Sequence, residues 1–149
     1  VGIHRSYLQA GADFLKTNTF GANRVKLEGT GHSVEEVVFA GVRNAQQAVI
    51  ECGHGLVFLD IGPTGKLLRP LGELDFEDAV SVFGEMVHAG VMAGADAILI
   101  ETMSDIYEAK AALLAAKEYS DLPVFVTMTF DQDGKLLTGG STGKTGFVH

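Results

Sequence analysis

The sequence predicts an α/β fold built on a parallel sheet, and three observations predict it. Short, near-continuous apolar runs alternate with longer stretches of helical period. One joint between helix and strand occurs twice. Each apolar run turns polar at its C-terminal end.

The repeated joint reads Tyr7-Leu-Gln-Ala-Gly-Ala-Asp13 into Phe14-Leu-Lys-Thr-Asn-Thr-Phe20, and again Gly90-Val-Met-Ala-Gly-Ala-Asp96 into Ala97-Ile-Leu-Ile-Glu-Thr102. Each is a helix end, a glycine near the C-cap, an aspartate and then a buried strand. The helix before the first joint covers Ile3 to Ala10, so the chain begins inside an element and reads as part of a larger domain. Gly55-Leu-Val-Phe-Leu-Asp60 and Pro123-Val-Phe-Val-Thr-Met-Thr129 supply two more strands. Apolar runs of this kind predict strands covered on both faces.

Helices fill the intervals. Ser33-Val-Glu-Glu36 is a capping box, followed by Val37, Val38, Val42, Ala45, Val49 and Ile50 at roughly helical spacing. Phe76, Val80, Phe83, Val87 and Val91 form a second stripe. Asp105-Ile-Tyr-Glu108 starts a third helix, with Ile106, Ala109, Leu113 and Ala116 inward. No linker or low-complexity tract interrupts residues 1–149, which read as one partial domain. The alternation fits a (β/α)8 barrel or an open doubly wound sheet. A whole barrel takes about 250 residues, so four strands would be half of one.

Composition excludes several classes of function. Nineteen acidic against eleven basic residues give a net charge of −8, without a basic cluster for nucleic acid or anionic membranes. A single cysteine, Cys52, forbids an internal disulfide and fits a reducing cytoplasm. No apolar run reaches the roughly 18–20 residues of a membrane span.

Both architectures place sites at the C-terminal ends of strands. Here those ends carry Thr17-Asn-Thr-Phe20, Asp60-Ile-Gly-Pro-Thr-Gly65, Glu101-Thr-Met-Ser-Asp105 and Thr127-Met-Thr-Phe-Asp131. Ser104 and Asp105 read as helix caps. Asp60 and Glu101 leave apolar strands directly, where an uncompensated carboxylate is costly to bury. Gly62-Pro-Thr-Gly65 is a tight turn that could present backbone N–H groups to an anion, although a generic turn needs no ligand. Gly143-Lys-Thr145 resembles the end of a phosphate-binding loop, but Thr138 stands where that pattern needs glycine. The histidines at 4, 32, 54, 88 and 149 lack metal-ligand spacing. Lys16 reads as an ordinary charged residue beside a strand rather than a Schiff-base lysine, and Cys52 as a packing residue.

His4-Arg-Ser-Tyr-Leu-Gln-Ala-Gly-Ala-Asp13, Thr17-Asn-Thr-Phe-Gly-Ala-Asn23, Asp60-Ile-Gly-Pro-Thr-Gly65, Pro70-Leu-Gly72, Glu101-Thr-Met-Ser-Asp105 and Met128-Thr-Phe130 stand in one order. In that order the chain resembles homocysteine S-methyltransferase domains, and most of all the N-terminal barrel of the cobalamin-dependent methionine synthase type. The resemblance implies a (β/α)8 TIM-barrel fold, about half of it present, with homocysteine as substrate. It implies Glu101 as the contact of the homocysteine amino group, with Asn18, Thr19, Phe20 and Asp60 on the pocket wall. It also implies a zinc held by three cysteine thiolates, which makes the homocysteine sulfur a thiolate. The methyl group would come on cobalamin, recharged from methyltetrahydrofolate by other domains of a methionine synthase. Gly21 falls where betaine-using relatives carry tyrosine. The family's zinc-ligand segments find no counterpart here, and Cys52 matches none of them, so no metal ligand or catalytic residue is assigned. Two other readings stand beside this one. Another (β/α)8 enzyme, such as an aldolase-like lyase, could share the strand-end acids. A non-catalytic half barrel could cover its open face by self-association.

Overall fold

The computed structural model describes residues 1–139. Gly143-Lys-Thr145 and His149 lie outside the described residues. The elements run α1 (Gly2–Gln9), β1 (Phe14–Lys16), α2 (Arg24–Leu27), α3 (Val34–Cys52), β2 (Leu56–Ile61), α4 (Phe76–Ala93), β3 (Ala97–Met103), α5 (Ile106–Tyr119) and β4 (Val124–Met128). The strands are parallel and lie in chain order, β1-β2-β3-β4.

That order decides the architecture. A doubly wound sheet reverses direction after its first strands, which sends later helices to the other face. Here every crossover steps the same way. With right-handed crossovers, all the connecting helices fall on one side. The other side is the interior of a (β/α)8-type barrel, of which these four strands form about half. Helix packing follows the same order, α3 lying against α4 and α4 against α5.

Local signals place the helices. Ser33 and Glu36 form the reciprocal capping box of α3, and Gly53 closes that helix in the left-handed conformation at φ 77°. Gly94 closes α4 in the same way at φ 86°. The second Gly-Ala-Asp joint then locks onto the sheet: Asp96 donates its N–H to Val57 O, and its carboxylate accepts the Val57 N–H at 2.7 Å. Asp105 caps α5 by accepting from Tyr107 N at 2.8 Å.

The core lies between the strands and their helices. Leu15, Val57, Leu59, Ile61, Ile98 and Ile100 point outward into Val38, Val42, Phe83, Met86 and Val87. Helix α5 buries alanines at 109, 111, 112, 115 and 116, so it packs close. Ile50 departs from the expected inner stripe of α3 and is exposed. Its neighbour Val49 takes the inward position above Gly55, and one residue further turns the helix about 100° away.

The strands are also not covered on both faces. On the inner side Phe14, Leu56 and Phe125 are 47–51% exposed, and on the outer side of β4 Val126, which pairs with the outward Ile100, is 41% exposed. The helix layer covers the outer side of β1 to β3, and on the inner side Phe14, Phe58 and Phe125 stack beside Leu56 and Leu99. Phe14 and Phe58 stack at 4.3 Å between ring centres, Phe58 and Phe125 at 5.3 Å.

Helix α4 rides on β2 at Gly90, where an added Cβ would meet the Leu59 side chain at 2.4 Å. Gly90→Ala is therefore expected to cost about 1–3 kcal/mol of stability by overpacking, whatever it gains in helix propensity. Urea denaturation measures this, and an unchanged or raised midpoint would show that the contact yields freely.

Candidate functional site

The pleat sends alternate residues to opposite faces, and the observed register aligns them across strands. Lys16 on β1, Asp60 on β2, Glu101 on β3 and Thr127 on β4 therefore share the inner face at the C-terminal end of the sheet. They line a cavity of about 1060 Å³ together with His4, Tyr7, Asn18, Gly41, Asn44 and Leu99.

Lys16 Nζ donates to both Glu101 oxygens, at 2.7 and 2.9 Å. The pair joins strands that are not neighbours, so both side chains lean across β2 above Asp60. The Glu101 contact raises the Lys16 ammonium above its usual pKa, against the opposing pull of burial, with Asp60 adding to the rise. A Schiff-base lysine needs the neutral amine, so this setting opposes imine chemistry.

Asp60 is 5% exposed, and its Oδ1 has no hydrogen-bond partner. Burial pushes its carboxyl from 3.8 up to about 7, the Glu101 charge pushes it further the same way, and Lys16 pulls it back.

The backbone around Asp60 is held by hydroxyls. Asp60 N–H donates to Thr17 Oγ1 at 3.0 Å, and Thr19 Oγ1 donates to Asp60 O at 2.7 Å. The Thr19 proton is thereby engaged, so Thr17 donates across the 2.6 Å gap to Thr19 Oγ1.

Thr102, beside Glu101, has φ +62°, a region a β-branched residue enters at a cost. The β3–β4 register shifts between Ile100 and Met103, and Thr102 N–H donates to Thr127 Oγ1 at 3.1 Å. This bulge sits where β3 presents Glu101 to the cavity.

Of the five residues expected to bind substrate, Asn18, Asp60 and Glu101 line this cavity. Thr19 is buried behind it, its hydroxyl spent on the Asp60 backbone. Phe20 lies against Gly62, where an added Cβ would meet the ring at 2.5 Å, and under the Lys26 ammonium at 5.2 Å. The Gly62-Pro-Thr-Gly65 turn packs against α5. Thr64 N–H and Oγ1 both donate to Glu108 Oε1, at 2.8 and 2.6 Å, which leaves that N–H unavailable to an anion. Burial raises the Glu108 carboxyl, against the lowering effect of those two bonds.

Sequence reasoning treated Lys16 as ordinary, took Thr127 only as part of a polar strand end and Glu108 only as part of a helix start, and missed the cavity and the Thr64 turn that they serve. A cation at the same strand end as two carboxylates was the available signal for Lys16. A second hollow, of about 600 Å³, lies on the helix side between α2, α3 and α4. It is remote from the strand ends, and its Arg24 is already engaged by Glu85 and Ser81.

Among the described residues no three His, Cys, Asp or Glu side chains group to hold a metal. Cys52 ends α3, and the strand after it starts at Leu56 and reaches Asp60 only at its far end. The lone thiol is therefore at the opposite end of the sheet from the cavity. These residues do not fit a thiolate-held zinc.

The family model described as homocysteine S-methyltransferase matches residues 1–146. The methionine synthases of Mycobacterium tuberculosis and Mycobacterium leprae are 32% and 31% identical to this chain, covering 95% of it but only 13% and 12% of their own length. The chain thus spans about an eighth of those relatives. The homocysteine methyltransferase MmuM from Escherichia coli in its metallated form superposes with a TM-score of 0.81 at 22% identity, over 94% of this chain and 54% of that one. Its apo form gives 0.69 at 20% identity. At such identities the likeness shows the fold, a barrel of the same type.

The Asp60 pKa has a consequence for stability. A carboxyl raised on folding stabilises the protein fully below its unfolded pKa near 3.8, and that contribution is lost as pH rises through about 7. Asp60→Asn is expected to match the wild type near pH 4 and to exceed it by on the order of 1 kcal/mol at pH 8, a figure discounted for the open mouth. Thermal melts at both values test this; equal differences at pH 4 and pH 8 would refute it.

Proposed function

The chain belongs to the homocysteine S-methyltransferase family, and we propose that residues 1–149 are a single partial domain that binds homocysteine for methyl transfer, in an enzyme of methionine synthase type. The observation that carries this reading is the joint presence of Glu101, Asp60 and Lys16 at the strand ends of a matching fold.

The chemistry asks two things of such a site. The amino acid must be held, and its sulfur must be a thiolate. The sulfur then forms a bond to the methyl carbon as the donor–carbon bond breaks, and the thiol proton is given up. At a reference thiol pKa near 8.5, most homocysteine is neutral at pH 7. A zinc held by thiolates, as the family resemblance implies, would supply the missing acidity. The residues described here do not provide that ligand set, and no step is assigned to a metal they hold. Their part is the holding. Glu101 would take the ammonium group in a charge-assisted contact. Asp60, with its unpartnered oxygen beneath, would add a second acceptor when ionised. Asn18 and Thr127 would border the ligand. The methyl group would arrive on cobalamin charged from methyltetrahydrofolate, both handled by other domains.

Glu101→Gln keeps the size of the side chain and removes its charge. In the full chain it is expected to weaken homocysteine binding roughly tenfold to a hundredfold, as loss of a charged hydrogen bond does. Calorimetric titration measures it. Unchanged affinity would remove the assignment of Glu101. A non-catalytic chain that covers Phe14 and Phe125 with a second copy would show no homocysteine binding at all.

The purified chain is expected to hold no stoichiometric zinc and to give no methionine from homocysteine on its own. Metal analysis beside a methyl-transfer assay checks this. One equivalent of zinc with turnover would mean the ligands have been misplaced.

A further inference from the structure

We propose that Lys16 is a specificity-determining residue that reads the α-carboxylate of the bound amino acid, leaving Glu101 as the ligand's ammonium takes its place. The proposal rests on the homocysteine reading of the same site.

In the structure the Lys16 ammonium occupies the position an amino-acid ammonium would need, against both oxygens of Glu101. A ligand that seeks Glu101 must therefore meet Lys16. The lysine is suited to move. Its side chain is 46% exposed, whereas that of Glu101 is 19% exposed. It also carries a point charge on a flexible stem, with no fixed donor fork to break. The cavity around it has room for an amino acid, at about 1060 Å³.

Charge balance then selects the ligand. A zwitterion inserted between Lys16 and Glu101 leaves every charge facing an opposite one: Glu101 to ligand ammonium, ligand carboxylate to Lys16. An amine without a carboxylate would displace Lys16 and leave two cations beside Glu101. A carboxylate without an amine would compete with Glu101 for Lys16 and add an anion beside Asp60. Only a ligand with both groups keeps the alternation. Asp60, buried with an unpartnered oxygen under the pair, sharpens the selection because it makes an added anion costly and an added ammonium acceptable.

The test titrates the full chain with three compounds: homocysteine, its decarboxylated analogue 3-aminopropane-1-thiol, and its deaminated analogue 4-sulfanylbutanoate. Lys16→Met is expected to weaken homocysteine about tenfold or more, the worth of about one charge-assisted contact. It should leave the decarboxylated amine unchanged or bind it more tightly, because Glu101 is then free. Lys16→Arg, which keeps the charge, should retain the preference for homocysteine, and Lys16→Gln repeats the neutral arm should the methionine variant fail to fold. Equal homocysteine binding by wild type and the neutral variants would overturn the proposal while leaving the homocysteine site intact. A loss of the same factor for homocysteine and the amine would also overturn it, reducing Lys16 to a structural tie between β1 and β3. No homocysteine binding by the wild type would overturn both readings together.

Discussion

The two-residue period of a parallel strand governs the site and the core at once. In β2, Leu59 and Ile61 reach into the helix layer, while Phe58 and Asp60 face the interior. In β3, Ile98 and Ile100 go outward, and Leu99 and Glu101 inward. A slip of one residue would drive two carboxyl groups into the alanine- and valine-rich seam under α4 and α5 and bring the isoleucines to the mouth. The apolar seam thus fixes which face the acids occupy, and Gly90 lets α4 approach closely enough to enforce it.

Three charged groups on one half-wet face then have to be reconciled. Lys16 and Glu101 pair across two strands, and Asp60, below them, is eased toward its neutral form. Lysine suits this task because its stem is long enough to cross β2. A short strand, β1, carries it; the strand's own ladder is only three residues long. The hydroxyls of Thr17 and Thr19 continue the tie to β2 where the backbone ladder stops. A shared set of polar contacts therefore holds the mouth together.

Much of this was legible in the sequence because it is local. The Ser33–Glu36 box, the Gly53 and Gly94 caps, the Asp105 cap and the repeated Gly-Ala-Asp joint are all decided within a few residues. The strand-end acids stood out because carboxylates off apolar runs are unusual. The rest depends on residues far apart in the chain. Lys16 and Glu101 are separated by 85 positions, and nothing near either one announces the other. Glu108 reads as part of the helix start at Asp105, yet the Thr64 turn 44 residues earlier folds over it. The short helix α2 has one turn and a cap at Asn23, too little for a periodic signal. Whether the parallel sheet was barrel or doubly wound hung on strand order, which period cannot reveal and the family resemblance could.

The hydroxyl ring around Asp60 has a consequence of another kind. Its three bonds run head to tail, from Asp60 N–H to Thr17, from Thr17 to Thr19, and from Thr19 to the Asp60 carbonyl. Each donor is polarised by the bond it receives, so the ring behaves as one unit. Removing either hydroxyl opens the whole circuit, and removing the second has little left to break. The two threonines are thus coupled in the sense of a double-mutant cycle, their separate losses summing to more than their joint loss. Variation at one should relax the constraint on the other, so positions 17 and 19 are built to change together.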